Sequence, residues 1–299
     1  MSGRRLDIGI ASYRSPEKLR KTIQFVRRFS VTDWRLFIIH NGEPDDAYSV
    51  SLDASAGDQR IITLQPQFNS GYAGAVNKLL SIAETEYIAY LDNDAYVATP
   101  GWDETLCGYL DRFHEIGMIF PGSGVNPIPR SSGYSEVMWS PGFCWILNRM
   151  CMKAVGEFNL EDHRADKIYF DTSLGHQEEA DWCMRVRMAG YRCAAVPEVY
   201  VEHDATATND PAAIERINAG VIRWVNKWNR YFNGVNFNYH SPNVTRWEDW
   251  PPNALYMEEW WKSRLPGLND HPETVIVDNR QYDLIKVPRL KGFYTGRVI

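Results

Sequence analysis

The first half of the chain alternates short apolar runs with amphipathic stretches, the pattern of sheet strands joined by covering helices. Residues 6–10 (LDIGI) alternate like a strand, and residues 35–39 (RLFII), 61–64 (IITL) and 87–91 (YIAYL) read as three more. Behind the first strand, Ser15 and Pro16 stand at the N-cap and first position of a helix, where serine accepts from the first turn and proline loses nothing. Leu19, Ile23 and Val26 follow at helical spacing. Between the third and fourth strands, residues 69–77 (NSGYAGAVN) form a glycine-bearing turn that enters a helix through Leu79, Leu80 and Ile82.

Residues 121–141 are rich in Gly, Pro and Ser and have no period, which predicts a functional loop or a segment without fixed structure. Apolar character returns at residues 143–147, residues 178–188 read as a helix ended by Gly190, and short strands follow at 191–196 and 199–203. After His203 the pattern changes. Asp210 and Pro211 open a long helix whose apolar stripe is Ile214, Ile217, Val221, Trp224, Val225 and Trp228. Such a stripe normally packs on its own domain; a homo-oligomer interface is the alternative. Beyond Tyr231 the sequence is irregular and rich in Trp and Pro. The pattern therefore predicts an α/β domain over residues 1–205 and an extension over 206–299, a long helix followed by the Trp/Pro-rich segment.

Composition narrows the class without choosing a function. The 299 residues, 44% hydrophobic and 23% charged, suit a soluble globular protein with one sizeable core and a smaller second unit. A net charge of -6 gives no global attraction to nucleic acid or anionic membrane. Five cysteines without a C-x-x-C pair argue against a disulfide framework or a zinc ribbon and fit a reducing compartment. The N-terminal residues carry no apolar signal segment, and no apolar run approaches the roughly 20 residues that span a bilayer, so a cytoplasmic location is expected. Eleven Trp and sixteen Tyr suit half-wet surfaces such as sugar sites, although most aromatic rings fill cores.

The densest candidate chemistry is Asp92-Asn93-Asp94, at the end of the fourth strand. Residues i and i+2 of extended backbone point the same way. Both carboxylates thus reach one small volume at the strand's carboxyl edge, where open α/β sheets bind ligands. Such a pair suits Mg²⁺ or Mn²⁺, which take oxygen ligands and keep positions open for phosphates. A solvated turn is the ordinary alternative, since Asp and Asn are turn residues.

Six pieces follow one another in a particular order: residues 8–13 (IGIASY), 38–42 (IIHNG), 69–77, 91–94 (LDND), 177–181 (QEEAD) and 196–203 (VPEVYVEH). In this order they resemble the family 2 glycosyltransferases, inverting enzymes of the GT-A fold, over roughly the first two thirds of the chain. Residues 69–77 resemble the N-x-G-x-A-G-x-x-N segment of rhamnosyltransferase-like members. The resemblance implies a Rossmann-like mixed central sheet flanked by helices. It also implies metal-dependent transfer of a sugar from a nucleotide-diphosphate sugar, UDP- or dTDP-hexose, to the hydroxyl of a saccharide or other acceptor. Asp94 would be the principal ligand of Mn²⁺ or Mg²⁺, Asp92 would bind metal or ribose with Asn93 beside it, and His203 would be a third ligand as a neutral imidazole. A solvent-facing histidine is the bland alternative at that position.

The attacking hydroxyl must lose a proton, so a carboxylate general base is required. By the family's E-D-x-D register the base is Glu179, where the family generally has Asp; Glu178 and Asp181 are the alternatives. Acidic residues also simply stabilise a first helical turn, which accounts for at least one of the three. The added methylene matters, because a misplacement of about 1 Å can cost 100-fold in rate. For the nucleotide, the resemblance implies Ala11, Ser12 and Tyr13, with Tyr13 stacking on a pyrimidine and Asn41 bonding its edge. It also implies Asn69, Gly71, Gly74 and Asn77. Gly71 and Gly74 would let the backbone approach the nucleotide or merely permit a tight turn, and Asn41-Gly42 is by itself a turn dipeptide.

Two other classes compete. A sugar-1-phosphate nucleotidyltransferase would carry a glycine-rich basic loop after the first strand, where this chain reads ASYRSP. A catalytically silent nucleotide-sugar-binding protein draws support from Glu at position 179. Acceptor contacts are expected from residues 121–141 and 247–261, and the extension would serve acceptor binding or oligomerisation. Lys286, Arg289, Lys291 and Arg297 leave a membrane surface or a nucleic acid open as acceptor, although an acidic chain weighs against strong binding to a phosphate backbone.

Overall fold

The computed structural model describes residues 6–65, 68–121, 128–129, 134–137, 140–157, 170–204, 215–217, 219–220, 222–224, 227, 274–277, 280–286 and 294–298. The chain divides into two compact units, one of Met1–Thr172 with Glu178–Ala205, the other of Ser173–Gln177 with Thr206–Ile299.

In the first unit the order is β1 (Leu6–Ser12), α1 (Pro16–Phe29), β2 (Trp34–His40), α2 (Asp46–Gly57), β3 (Ile61–Leu64), α3 (Gly71–Ile82), β4 (Tyr87–Asp92), β5 (Ala95–Val97) and α4 (Trp102–Arg112). Then come β6 (Ile116–Pro121), β7 (Ile128–Pro129), β8 (Ser135–Val137), β9 (Cys144–Asn148), α5 (Arg149–Glu157), α6 (Glu178–Met188), β10 (Arg192–Val196) and β11 (Val201–His203). The main sheet has nine strands in the order β3-β2-β1-β4-β9-β6-β10-β8-β7. Strands β3, β2, β1 and β4 run parallel, and β10 runs parallel to β6. Strand β9 is antiparallel between β4 and β6. Strands β5 and β11 pair separately and antiparallel.

The alternation in β1 does not mark a wet face. Ile8 and Ile10, with Leu36 and Ile38 of β2, join Leu19, Ile23 and Val26 of α1 and Val50 of α2 in one apolar cluster. The intervening positions are buried as well. Asp7 is fully buried because Arg35 donates to it through Nε at 2.9 Å and Nη2 at 3.0 Å, and the Glu84 N–H at 2.7 Å, as a buried carboxylate requires. Gly9 is glycine because a Cβ there would lie 2.4 Å from the Leu79 side chain of α3. The sheet is therefore covered on both faces, with α1 and α2 on one and α3 on the other.

Some elements depart from expectation. Ser15 stands before α1 at φ 54 and makes no side-chain cap, so Pro16 alone marks the helix start. The stretch 121–141 contains β7 and β8, and β8 pairs antiparallel with β10; strands of two and three residues are too short to show a period. In the second unit, residues 215–217, 219–220, 222–224 and 227 are helical and Trp224 is buried; the proposed start at Asp210 and Pro211 lies outside the described residues. The region beyond Tyr231 is not wholly irregular. Strands β12 (Thr274–Val277), β13 (Arg280–Lys286) and β14 (Tyr294–Val298) form an antiparallel sheet. Residues such as TVIV have the β-branched content of a strand, which the surrounding Trp and Pro obscure. Lys286 and Arg297 lie on β13 and β14; Arg289, Lys291 and residues 247–261 lie outside the described residues. Among the described residues no helix is long and apolar enough to cross a membrane.

Candidate active site at the carboxyl edge of the sheet

The end of β1 lies beside the end of β4, with Ala11 in register with Asp92. From there the chain turns through Asn93 and Asp94 into β5, and β5 pairs with β11 so that Ala95 faces His203. Three side chains consequently meet. His203 Nε2 lies 3.6 Å from Asp92 Oδ2 and 3.3 Å from Asp94 Oδ1, and one ligand atom from each residue lies within 4.8 Å of the others. Phe143 stacks on the His203 ring at 4.4 Å and 18°. Helix α1 grips the turn from below: Thr22 Oγ1 donates to the Asn93 carbonyl at 2.8 Å. Lys18 Nζ donates to Asp94 Oδ2 at 3.3 Å and to the Asp204 carbonyl at 2.6 Å.

The electrostatics follow from this crowding. Burial disfavours a charge on His203, but hydrogen bonds and the charges of Asp92 and Asp94 outweigh it and raise the imidazole to about 9. Burial likewise opposes ionisation of Asp94, yet His203 and then Lys18 carry it below its usual value. Two carboxylate oxygens and an imidazole nitrogen at this spacing fit Mn²⁺ or Mg²⁺. Because an imidazolium cannot ligate, such binding would release the His203 proton.

Glu178 and Glu179 open α6, which begins after Gln177 in a left-handed backbone conformation at φ 70. Burial, the charge of Glu178 and, more weakly, that of Asp92 push Glu179 up to about 8; burial, Asp171 and Asp181 push Glu178 to about 7. A carboxylate kept basic near neutrality is suited to accept a proton. Asp181 is different. It is fully buried and paired with Arg185, four residues on in the same helix, through Nε and Nη2, each at 3.0 Å.

Residues that the sequence did not single out for the site complete the surroundings. The Trp145 indole donates to the Tyr72 hydroxyl at 3.1 Å, which donates to the Gly142 carbonyl at 3.3 Å. A Cβ on Gly142 would lie 3.5 Å from the Glu179 carboxyl carbon. Burial, followed by the charge of Glu179, holds the Tyr72 hydroxyl well above its ordinary value. Tyr90, Trp145, Phe170 and Trp182 stack in succession at 5.3, 5.8 and 5.0 Å, and the Tyr90 hydroxyl donates to Asp92 Oδ1 at 2.7 Å. The ladder thus runs from the aspartates to the helix of the glutamates. Tyr90 was legible, since it shares a strand face with Asp92 by the two-residue period. Trp145 and Phe170 come from distant sequence and carry no local signal.

The remaining predicted residues divide by what they touch. Tyr13 is 45% exposed beside the turn, with the Arg14 guanidinium 4.9 Å from its ring centre, and a Cβ on Gly42 would meet the ring at 3.4 Å. Asn41 is buried and spends its amide on α3: its oxygen accepts from Ser70 N–H at 2.7 Å, and its nitrogen donates to the Gly71 carbonyl at 3.0 Å. Asn69 accepts from the Gly71 N–H at 2.9 Å. Gly71 has φ 71, and a Cβ on Gly74 would fall 2.4 Å from Ser70 Cβ. Asn77 gives both amide atoms to the Phe170 main chain, at 2.8 and 2.7 Å. Ser12 is buried in register with His40 of β2, and its hydroxyl has no hydrogen-bond partner. Asn93 reaches the Arg14 carbonyl at 3.4 Å.

Residues 7–151 match the model of Glycosyl transferase family 2. The UDP-Glc:alpha-D-GlcNAc-diphosphoundecaprenol beta-1,3-glucosyltransferase WfaP of Escherichia coli is 30% identical over 115 residues, 38% of this chain and 43% of that protein. The chain spans less than half the length of the curated relatives it matches. Among solved structures, the mannosyltransferase PcManGT of Pyrobaculum calidifontis, in complex with GDP-Man and Mn²⁺, superimposes with a TM-score of 0.59 at 14% identity, over 76% of this chain and 64% of that one. S. aureus TarS 1-349 in complex with UDP-GlcNAc gives 0.52 at 15% identity, over 99% and 100%. At such identities the likeness establishes the GT-A fold.

Proposed function

On the match of residues 7–151 to the model of Glycosyl transferase family 2, we propose that the chain is a metal-dependent inverting glycosyltransferase. It would move a hexose from UDP- or dTDP-hexose to an acceptor hydroxyl, with Glu179 as general base. The observation that carries this reading is the meeting of Asp92, Asp94 and His203 close enough to Glu179 for Asp92 to raise its proton affinity. When bound, Mn²⁺ or Mg²⁺ held by those three residues would neutralise charge on the departing diphosphate. The protein's own groups account for the rest. Glu179 takes the proton of the acceptor hydroxyl, and Glu178 shares its desolvated environment. The Trp145–Tyr72–Gly142 chain of hydrogen bonds fixes the wall against which Glu179 lies.

The E. coli relative's name specifies UDP-Glc and TarS is seen with UDP-GlcNAc, which favours uridine over thymidine here, while the likeness to a GDP-Man complex makes guanosine a donor to test. The rhamnosyltransferase-like subgroup rests on residues 69–77 alone. Residues 1–205 would be the catalytic domain and residues 206–299 an acceptor-binding or oligomerising extension. Five free, buried cysteines support a reducing, cytoplasmic setting. Incubation with UDP-, dTDP- and GDP-sugars, with and without Mn²⁺, tests the reading. Release of nucleoside diphosphate from one donor, dependent on metal and lost in Asp94→Ala, is expected. Release of pyrophosphate from sugar-1-phosphate and a nucleoside triphosphate instead would make the protein a nucleotidyltransferase.

A further inference from the structure

Each of the two aspartates has one oxygen already taken. Asp92 Oδ1 accepts from the Tyr90 hydroxyl at 2.7 Å, and its Oδ2 turns towards His203 at 3.6 Å. Asp94 Oδ2 accepts from Lys18 Nζ at 3.3 Å, and its Oδ1 turns towards His203 at 3.3 Å. The two restraints come from different directions. Tyr90 is fixed in the aromatic ladder, in register with Trp145 of β9. Lys18 is on α1 and also holds Asp204, one residue past His203. Lys18 thereby ties the turn that carries the aspartates to the strand that carries the histidine.

We propose that Lys18 and Tyr90 are positioning residues that set which metal the site takes, by leaving each aspartate a single oxygen to give. The inference rests on the reading of Asp92, Asp94 and His203 as a metal site and adds its selectivity. Ca²⁺ takes six to eight oxygen ligands and readily uses carboxylates through both oxygens, whereas a small octahedral ion takes one oxygen from each. An imidazole nitrogen in the set also favours a transition ion over Ca²⁺. With both second oxygens held, the site supplies a compact, one-atom-per-residue face and disfavours Ca²⁺. Neither Lys18 nor Tyr90 need touch the ion. Outer contacts of this kind are worth about 10- to 100-fold in metal affinity.

The test is a titration of the 299-residue protein with Mn²⁺, followed by its electron paramagnetic resonance signal, and with Ca²⁺ by competition, at one pH. Wild type should prefer Mn²⁺. In Lys18→Met and Tyr90→Phe that preference should shrink by about tenfold or more, and Lys18→Arg should restore it; Lys21→Met, on the same helix, should leave it unchanged. Tyr90→Phe keeps the ring in the ladder and Lys18 is partly exposed, so the two variants do not share one folding risk. Loss of Mn²⁺ and Ca²⁺ affinity in equal proportion, or an unchanged preference in both variants while Asp94→Ala abolishes Mn²⁺ binding, would overturn the inference and leave the metal site standing. A wild type that binds Mn²⁺ no better than Asp94→Ala would overturn the metal site and the inference together.

Discussion

At the residue scale, the three carboxylates at the start of α6 look alike in sequence and separate in the structure. Glu179 is desolvated and raised to about 8, while Asp181 is consumed by Arg185. Replacing Glu179 with Gln should leave donor binding intact and lower turnover by about 10²- to 10⁴-fold, the usual contribution of a general base, as read by single-turnover assays beside equilibrium binding. The wild-type rate should climb as pH rises from 6 towards 8, because only the ionised carboxylate accepts a proton, and level off above. Stability should move the other way. Glu179 holds its proton more tightly folded than unfolded, so its contribution is complete below the ordinary carboxylate value and drains away as pH rises through about 8. Thermal melts should therefore show Glu179→Gln gaining on wild type at high pH and not at pH 4. A variant that melts like wild type at both would mean that the carboxyl is not desolvated. By register the sequence pointed to Glu179, with Glu178 and Asp181 as alternatives; the arginine four residues after Asp181 was also readable locally, whereas the burial around Glu178 and Glu179 is a tertiary fact.

At the element scale, the site is made by strand ends and helix starts that grip one another. Asn41 holds the first turn of α3, Asn77 in the middle of that helix holds Phe170, and Phe170 stacks on Trp182 of α6. The N-x-G-x-A-G-x-x-N pattern was readable as a motif, but several of its polar residues serve as fasteners between elements. Its glycine at 74 reflects contact with Ser70. Asp181→Ala should cost stability, about 3–5 kcal/mol, because it removes the carboxylate that pairs with the buried Arg185 guanidinium. Chemical denaturation will measure this. A loss below about 1 kcal/mol would show that the buried pair contributes little to stability. Strand β1 teaches the same lesson about pattern. Its alternation suggested a strand correctly, yet Asp7 and Gly9 are buried for reasons that lie in Arg35 and Leu79, outside any local window.

At the scale of the molecule, the apolar runs were enough to locate β1 to β4, because regular helices separate them, even though β3 has four residues of which only Ile61 is buried. Strand β9, which enters antiparallel between β4 and β6, has a pairing that no periodicity specifies, and with it come Trp145 and Phe143, two rings that frame the site. The central claim is that this assembly holds a nucleotide diphosphate through Asp92, Asp94 and His203. Calorimetric titration of UDP-, dTDP- and GDP-sugars into wild type, Asp94→Ala and Glu179→Gln, each with Mn²⁺ and with chelator, tests it most directly. The account predicts one donor bound by wild type and Glu179→Gln only when Mn²⁺ is present, and not by Asp94→Ala. Equal binding with and without metal, or in Asp94→Ala, would contradict it.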